Sequence, residues 1–331
     1  MPPSPRPSPT RGEGARCAAF VVVLLFAASA TAQQYPTRPI KLIEGYPPGG
    51  NADVVARILA QEMSKSLGQP VVVEARPGAA GNLAAEAVAN AAPDGYMLLL
   101  VTGGHAVAGA MYKSLPYRSV ESFAMISTAT FFPFVIVTRA DGKYQSLPAL
   151  LQAARAVPES VTLGAAGPGV TQHLTGELLA RMAGVKFLYV PYKGDAGAVT
   201  ALLGNQTNVI ITPATAVLPY MKSGTFKALA TTGPTRWHGM PDVPTADESG
   251  LRGFDVRSWI GLATTAGTPG PIVERLHSEM QRSLQVPEVR ARLEDIGGEV
   301  RGSSPQEMRA RVAAEVERWS QVIREAKIEQ Q

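Results

Sequence analysis

The chain has 331 residues, of which 45% are hydrophobic and 18% charged, and its formal net charge is +4. So small a net charge gives no reason to expect nucleic acid as a partner. The only cysteine, Cys17, lies in the N-terminal segment, so the rest of the chain has no thiol for disulfides, cysteine-based metal sites or nucleophilic catalysis.

Residues 1–32 have the pattern of a cleaved signal peptide. Three arginines give the segment a basic, proline-rich start, and an apolar run follows at residues 17–28. That run is shorter than the roughly 20 residues a transmembrane helix needs. Ala30-Thr31-Ala32 is a small-residue cleavage site, which predicts a mature chain beginning at Gln33 and a periplasmic location. An uncleaved membrane anchor is the alternative, although no stop-transfer pattern follows.

Strand and helix patterns alternate after this segment. The chain is longer than one hydrophobic core usually serves, so two domains are expected. A first α/β unit has predicted strands at residues 40–43, 71–73 and 97–101, with helical spacing at 54–67 and 83–91. A second unit has predicted strands at residues 161–165, 187–191 and 209–211, with helices at 170–182 and 196–203. Two such units predict an α/β protein with two lobes, each built on a doubly wound sheet.

The end of the chain is predicted to be helical. One helix is expected at residues 271–284, and a last one has Ser304 as N-cap, Pro305 at its first position and Glu307 completing a capping box. Its buried stripe is predicted to contain Met308, Val312, Val316, Trp319 and Ile323.

We expect this C-terminal section to pack onto the first lobe, since no third α/β unit is visible. The chain then crosses between lobes twice, near residues 134–137 and 254–262, which favours a hinge. The predicted lobe 1 contains residues 33–135 and 256–331, and lobe 2 contains residues 136–255.

A glycine-rich turn, Tyr46-Pro47-Pro48-Gly49-Gly50, follows the first strand and precedes a helix with a predicted N-cap at Asn51 or Asp53. Without side chains at Gly49 and Gly50, several backbone N–H groups of the helix N-terminus stay open to an anion. An ordinary strand–helix turn is the alternative.

A second glycine-rich turn, Ala165-Ala166-Gly167-Pro168-Gly169-Val170-Thr171, again separates a strand from a helix, and Tyr192-Lys193-Gly194-Asp195 is a third. In open α/β sheets such turns lie at the carboxyl ends of strands, where ligands bind. One turn from each lobe would hold both ends of a small anion.

Three further strand ends could line the same mouth. These contain Ala79 (in residues 76–82), Thr102 (in 102–105) and Pro213 (in 213–215). For Pro213 a plain turn explains the pattern equally well. Phe131 and Phe132 could floor a pocket, but apolar aromatics more often belong to a core.

Catalytic and metal-binding patterns are missing from the sequence. The four histidines, at 105, 173, 238 and 277, show no zinc spacing, and His173 is interpreted as structural rather than as a base. Neither a G-x-S-x-G elbow nor a phosphate-binding P-loop is present. The sequence therefore predicts neither an enzyme nor a cofactor or metal site.

Six segments together carry a family resemblance. In chain order they are Pro36-Thr37-Arg38-Pro39-Ile40, Tyr46-Pro47-Pro48-Gly49-Gly50-Asn51-Ala52-Asp53, Arg76-Pro77-Gly78-Ala79-Ala80-Gly81-Asn82, Pro93-Asp94-Gly95-Tyr96, Val190-Pro191-Tyr192-Lys193-Gly194 and Pro241-Asp242-Val243-Pro244-Thr245. Their order and number resemble the periplasmic solute receptors of the tripartite tricarboxylate transporter family, often called Bug proteins. The resemblance covers essentially the whole mature chain.

The resemblance implies a two-lobed periplasmic-binding-protein (Venus flytrap) fold without a cofactor, a monomer that captures a small carboxylate and delivers it to membrane permease subunits. It places Tyr46, Pro48, Gly49, Gly50 and Asp53 in the first lobe's contact set, and Gly167, Gly169, Thr171, Tyr192 and Lys193 in the second lobe's. The family commonly has serines where this chain has Ala165 and Ala166, so the identity of the ligand is to be sought there. The alternatives are a sensor receptor that signals to a membrane kinase and, from another class, a periplasmic hydrolase.

Overall fold

The structure is a computed structural model, and it describes Met1, Ser4 and residues 35–331 apart from Pro168. Nearly all of the predicted signal peptide therefore lies outside the described residues. Residues Met1–Thr37 are a separate unit from Arg38–Gln331, and the second unit contains every helix and strand named below. Within the described residues, no helix is long and apolar enough to cross a membrane.

Strands and helices alternate through most of the second unit. The strands are β1 (Ile40–Glu44), β2 (Val71–Ala75), β3 (Met97–Thr102), β4 (Phe123–Arg139), β5 (Thr162–Ala165), β6 (Leu188–Pro191), β7 (Val209–Pro213), β8 (Phe226–Thr231), β9 (Arg257–Thr265) and β10 (Glu299–Val300). The helices are α1 (Asn51–Leu67), α2 (Asn82–Ala89), α3 (Gly103–Met111), α4 (Leu147–Ala156), α5 (Thr171–Ala183), α6 (Gly194–Leu203), α7 (Ala214–Lys222), α8 (Gly270–Gln285), α9 (Pro287–Asp295) and α10 (Pro305–Glu325).

The sequence predicted the strands and helices of both α/β units to within three residues at each end. It did not predict α3, α4, α7 or α9, nor the strands β4, β8, β9 and β10.

One long strand joins two sheets. The first sheet has the order β2-β1-β3-β9-β4 and the second the order β4-β7-β5-β6, with β8 and β10 also pairing with β4. The first part of β4 pairs with β9 as far as Pro133 opposite Arg257, and from Phe134 onward it pairs with β7 and β8. Strands β1, β2 and β3 are mutually parallel, as are β5, β6 and β7, whereas β4 and β9 run antiparallel to their neighbours. The lobe boundaries remain a prediction.

The last helix, α10, contributes to two hydrophobic cores. Met308 and Val312 are buried with Leu99 and Phe123 of the first sheet's core. Trp319 is buried in a second core that also contains α5 residues, so the C-terminal section contacts more than the first sheet. The predicted capping box is confirmed, because the Ser304 hydroxyl accepts from the Glu307 N–H and the Glu307 carboxylate accepts from the Ser304 N–H.

Phe131 and Phe132 are nearly completely buried, and Phe131 packs in the first sheet's core. They are core residues rather than the floor of a pocket.

Candidate functional site

The first glycine-rich turn leads from the end of β1 into α1. Gly49 has φ +84°, in the left-handed region that favours glycine, and Pro48, Gly49 and Gly50 are exposed. Gly50 is the N-cap of α1 and supplies no side-chain cap, so the prediction of Asn51 or Asp53 as N-cap is wrong. An exposed helix N-terminus without a side-chain acceptor leaves its first N–H groups open to an anion.

Asp53 has a different role from the predicted cap. Its Oδ2 accepts from the Gly49 N–H at 2.9 Å, and its Oδ1 forms an ion pair with Arg57 Nε at 2.8 Å. The hydrogen bond with Arg57 holds the pKa of the Asp53 carboxyl below its usual range, and the Gly49 N–H lowers it further. Asp53 therefore stabilises the turn from its position in α1. Because its carboxylate already accepts from the Gly49 N–H, that N–H is not available to a ligand.

Tyr46 connects the turn to the end of β3. Its hydroxyl lies 2.8 Å from Thr102 Oγ1, and the same Thr102 oxygen accepts from the Gly104 N–H at 3.2 Å as the N-cap of α3. A Cβ at Gly104 would lie 2.7 Å from the Tyr46 hydroxyl, and Gly81 lies against the Tyr46 ring. The ends of β1 and β3 and the loop after β2 are thus packed together, as their parallel order predicts.

The loop after β2 is strained. Gly78, Ala79, Ala80 and Gly81 all have positive φ, with values of +140°, +46°, +56° and +94°. For alanine the left-handed region costs roughly 1–2 kcal/mol per residue, and such strain is concentrated at functional sites. Ala79, a predicted contact residue, is exposed at the same edge as Gly49. A cavity of about 10 Å³ under Tyr46, lined by Ala80 and His105, has room for about one water and is too small for a solute.

The second glycine-rich turn is held by side chains of its own half. The Gly169 N–H donates to His173 Nδ1 at 3.1 Å, and the Tyr189 hydroxyl donates to the Gly167 carbonyl. The His173 and Tyr189 rings stack at 3.9 Å. Because Nδ1 accepts a hydrogen bond, the proton of neutral His173 is on Nε2. His173 is thus a structural residue of the turn, as the sequence interpretation had it.

Several predicted contact residues of this half are buried. Ala165, Gly167, Gly169, Thr171 and Pro213 have little or no exposed surface. The Gly169 N–H already has an acceptor, so it is not available to a ligand. These buried residues therefore determine the conformation of the turn rather than donating hydrogen bonds to a ligand.

The third turn carries the more accessible groups of the second half. The Tyr192 N–H donates to Ala165 O at 2.9 Å and the Gly194 N–H to Ala166 O at 3.2 Å, so the second and third turns are fixed to each other. Lys193 is exposed, while Tyr192 is half-buried.

Asp195 was missed as a site residue by the sequence reasoning. It lies in the first turn of α6, and its Oδ1 accepts from Gln172 Nε2 at 3.1 Å and from Thr212 Oγ1 at 3.0 Å. Burial raises the pKa of its carboxyl, against the opposing effect of these two hydrogen bonds.

Acidic groups of both halves influence the hydroxyl of Tyr46. Burial raises the pKa of its hydroxyl, the bond with Thr102 opposes that effect, and the nearby Glu44 and Asp195 carboxyls raise the pKa further. Asp195 belongs to the second half and Tyr46 to the first, so charges of both halves act on this hydroxyl. A Cβ at Gly169 would likewise lie 2.9 Å from Met111 Cγ at the end of α3.

Glu44, the last residue of β1, is a second group that the sequence reasoning missed. It is completely buried. Burial and the Asp53 charge raise its pKa from 4.5 to about 7, against the effects of the Tyr46 N–H and Arg57. An acidic residue that directly follows the apolar pair Leu42 and Ile43 at the end of the strand is the signal that could have singled it out.

Nothing in this arrangement has the form of a metal centre. Within residues 35–331 the described side chains include no group of three or more His, Cys, Asp or Glu suited to hold a metal ion. The exposed helix N-terminus of α1 follows the carboxyl end of β1, and the third turn follows the carboxyl end of β6, the strand ends at which ligands bind in open α/β sheets.

Comparison with known proteins defines the class first. The structure of the periplasmic binding protein BugD has 36% identity and a TM-score of 0.81, and the match covers 90% of this chain and 100% of that one. MatC from Rhodopseudomonas palustris with bound malate has 34% identity and a TM-score of 0.79, covering 87% and 100%. Rpa4515 of R. palustris with adipate has 32% identity and a TM-score of 0.82, covering 88% and 98%. The protein thus has the two-lobed α/β fold of periplasmic solute-binding proteins.

The family follows from a further match. The family model described as "Tripartite tricarboxylate transporter family receptor" matches residues 55–328. The chain belongs to this family of transporter receptors, and the resemblance drawn from the sequence motifs is confirmed.

Proposed function

We propose that this protein is a periplasmic receptor that captures a small carboxylate between its lobes and delivers it to the permease subunits of a tripartite tricarboxylate transporter. Its relatives MatC and Rpa4515 hold malate and adipate, both carboxylates. The observation that supports the proposal most directly is the exposed N-terminus of α1 at Gly49 and Gly50, which has no side-chain cap. The carboxylate is bound there by N–H groups other than that of Gly49, and the third turn closes over it.

The division into lobes is part of the proposal. Residues 33–135 and 256–331 form lobe 1, and residues 136–255 form lobe 2, with β4 as one connection between them. Closure is a population shift, so the ligand must contact both lobes to drive it. An affinity near 1 µM corresponds to about −8 kcal/mol, which charge-assisted backbone hydrogen bonds in an enclosed cleft supply.

Residues 1–32 act as the signal peptide in this proposal, and the mature chain begins at Gln33 and works as a monomer. Mass spectrometry of the protein purified from the periplasm tests the cleavage, and intact residues 1–32 would contradict it.

A valine at Gly49 tests the site. Gly49→Val places a branched side chain over the helix N-terminus, where nothing lies within 4 Å, and forces it into the left-handed region. We expect no binding of any carboxylate up to about 1 mM, a limit of roughly −4 kcal/mol, in isothermal titration calorimetry. Wild-type affinity in this variant would refute the placement of the carboxylate.

The backbone strain of that substitution needs its own control. Gly224 has φ +72°, is exposed and also has nothing within 4 Å of a built Cβ, but it lies in the turn after α7. Gly224→Val therefore brings similar strain without obstructing the cleft. We expect it to lower the melting temperature about as much as Gly49→Val and to bind like the wild type.

A further inference from the structure

A second cavity lies at the end of the second sheet that is opposite to the glycine-rich turns. Its volume is about 280 Å³, whereas a single water needs only about 10–15 Å³. It is lined by Arg139, the last residue of β4, and by Asn208, which directly precedes β7. Because β4 runs antiparallel to β7, with Val137 opposite Ile210, the cavity lies at the amino ends of the parallel strands. The second and third turns follow the carboxyl ends of β5 and β6, so the cavity is separate from the candidate site.

Hydrogen bonds hold the two walls of this cavity together. One wall is the turn that follows β4, and the other is the segment between α6 and β7. The Arg139 Nη1 group donates to Leu203 O at 2.6 Å, and the Thr138 hydroxyl donates to Asn208 O at 2.9 Å. The cavity is therefore formed before any ligand arrives, and a preformed site loses little conformational freedom on binding.

The side-chain amide of Asn208 is an oriented donor without an acceptor. Its Oδ1 accepts from the Thr162 N–H and from the Thr162 hydroxyl, both at 2.9 Å. Since a backbone N–H can only donate, the atom that faces it is the amide oxygen and not the nitrogen. The NH2 group keeps contact with solvent and has no hydrogen-bond partner within residues 35–331.

The charged residues that line the cavity are Arg139, Asp141 and Lys143. Asp141 is matched by Arg139, because its two oxygens accept from Arg139 Nε at 2.8 Å and from Nη2 at 2.7 Å. The Lys143 ammonium lies 5.4 Å from the centre of the Tyr144 ring, and no carboxylate of the described chain lies within 4 Å of it. The cavity thus has one uncompensated positive charge beside unused N–H donors, which matches the charge and the acceptors of an oxyanion.

We propose that this cavity is a second binding site, which takes a small molecule that carries a phosphate or carboxylate group. Lys143 supplies the positive charge, and the NH2 group of Asn208 supplies oriented hydrogen bonds. Of the five guanidinium N–H groups of Arg139, three already donate to Asp141 and Leu203, and two remain for the ligand. Both walls belong to elements of the second sheet, so a ligand here leaves the affinity of the cleft for its own solute unchanged.

Nuclear magnetic resonance titrations of the deuterated, 15N-labelled protein test the site, because they report on the cavity and on the first turn separately. The probes are inorganic phosphate and acetate, each compared with sodium chloride of equal ionic strength. We expect the side-chain NH2 of Asn208 and the N–H of Gly142, which also lines the cavity, to shift along one saturating curve. Half-saturation should lie below about 10 mM, and sodium chloride should not reproduce the shifts. Saturating shifts at Gly49 and Gly50 alone, or at no residue, would overturn the proposal.

The variant Lys143→Gln removes the uncompensated charge from an exposed side chain that forms no ion pair within residues 35–331, so the fold is retained. We expect it to bind the tighter of the two probes about tenfold more weakly than the wild type. Lys113→Gln makes the same change of charge at an exposed position just after α3 and should titrate like the wild type. Equal affinity of Lys143→Gln and the wild type would contradict the assignment of the anion to this cavity.

The variant Asn208→Asp keeps an oxygen that accepts from Thr162 and replaces the NH2 donor by a second oxygen. The Gly142 N–H should then no longer shift with either probe, because a repelling carboxylate stands where a donor was. A wild-type response of Gly142 would show that the amide of Asn208 is not part of the site. If this variant fails to fold, Lys143→Gln still decides the outcome.

The two probes also distinguish the two sources of such an anion. Tighter binding of phosphate at Asn208 and Gly142 assigns the cavity to a phosphorylated molecule, and tighter binding of acetate assigns it to an organic acid. The proposed function is tested elsewhere, by the response of Gly49 and Gly50 and by the calorimetry of Gly49→Val, so each of the two proposals can fail while the other stands.

Discussion

The effect of replacing Glu44 on the free energy of unfolding can be calculated from the pKa of its carboxyl. Burial raises the pKa of this carboxyl from 4.5 to about 7, so the folded protein binds the proton more tightly than the unfolded chain does. Its contribution to stability is therefore complete below pH 4.5 and is lost as the pH rises towards and through 7. Between pH 5 and pH 8 these two pKa values correspond to a loss of about 2.5 kcal/mol from the free energy of unfolding.

His105 works in the opposite direction over the same range. Burial lowers the pKa of its imidazole from 6.5 to about 4, against the effect of a hydrogen bond with Ser119 O. The unfolded chain binds this proton more tightly, so the stability contribution rises with pH, by about 2 kcal/mol between pH 5 and pH 8. The pH-dependent contributions of Glu44 and His105 to the free energy of unfolding nearly cancel. The stability of the wild type would therefore change little with pH, although each group on its own changes it.

Comparing the variant Glu44→Gln with the wild type isolates the contribution of Glu44, since both proteins contain His105. Urea unfolding at pH 5, 6, 7 and 8 gives the free energies of unfolding. We expect the variant to gain about 2.5 kcal/mol on the wild type between pH 5 and pH 8. Glu274→Gln, at an exposed position of α8, should show a constant difference. A difference between Glu44→Gln and wild type that does not change with pH would refute the assignment of a raised pKa to Glu44.

Two further substitutions test the packing behind the first turn. Gly45→Ala places a Cβ 2.5 Å from the backbone Cα of Gly81, so it should cost about 1–3 kcal/mol in urea unfolding, and wild-type stability would show that the two segments are not held together. Thr102→Val removes both the N-cap of α3 and the partner of the Tyr46 hydroxyl, so it should cost about 1–2 kcal/mol in the same assay and weaken ligand binding in calorimetry. Unchanged affinity would mean that Tyr46 needs no anchor.

The local elements of both α/β units were predictable because short-range patterns specify them. Strands such as β3 are continuous apolar runs, and α1 shows helical spacing up to Gly68, which takes the left-handed conformation at its end. The capping box of α10 is likewise specified by residues that lie close together in the sequence.

The long-range features were not predictable in this way. In β4, Pro133 and several Ser and Thr residues interrupt the apolar pattern, and its partner β9 lies far along the chain. The helix α3 begins with Gly103 and Gly104, which disfavour helices, and it forms because Thr102 caps it and the cores bury it.

The candidate site was predictable as a set of strand ends, but not in its electrostatics. An acidic residue in the first turn of a helix, such as Asp195, ordinarily complements the helix dipole, so its sequence context does not single it out. Only the fold brings Gln172 and Thr212 to one of its oxygens. The same holds for Asp53, which is third in α1 and accepts the Gly49 N–H instead of capping the helix.

The pairing of β3 and β4 with β9 imposes an order on folding. Leu98 of β3 pairs with Thr264, and Phe131 of β4 pairs with Trp259. Both strands can therefore complete their pairing only after β9 has been synthesised near the end of the chain. Such sequence-distant contacts make folding slow, because the intervening loop must be closed before they form. A chain cut off before Arg257 would leave an open edge on β3 and on the first part of β4, and open edges promote aggregation. A fragment ending after the second α/β unit would consequently be an aggregation-prone product rather than half of a working receptor.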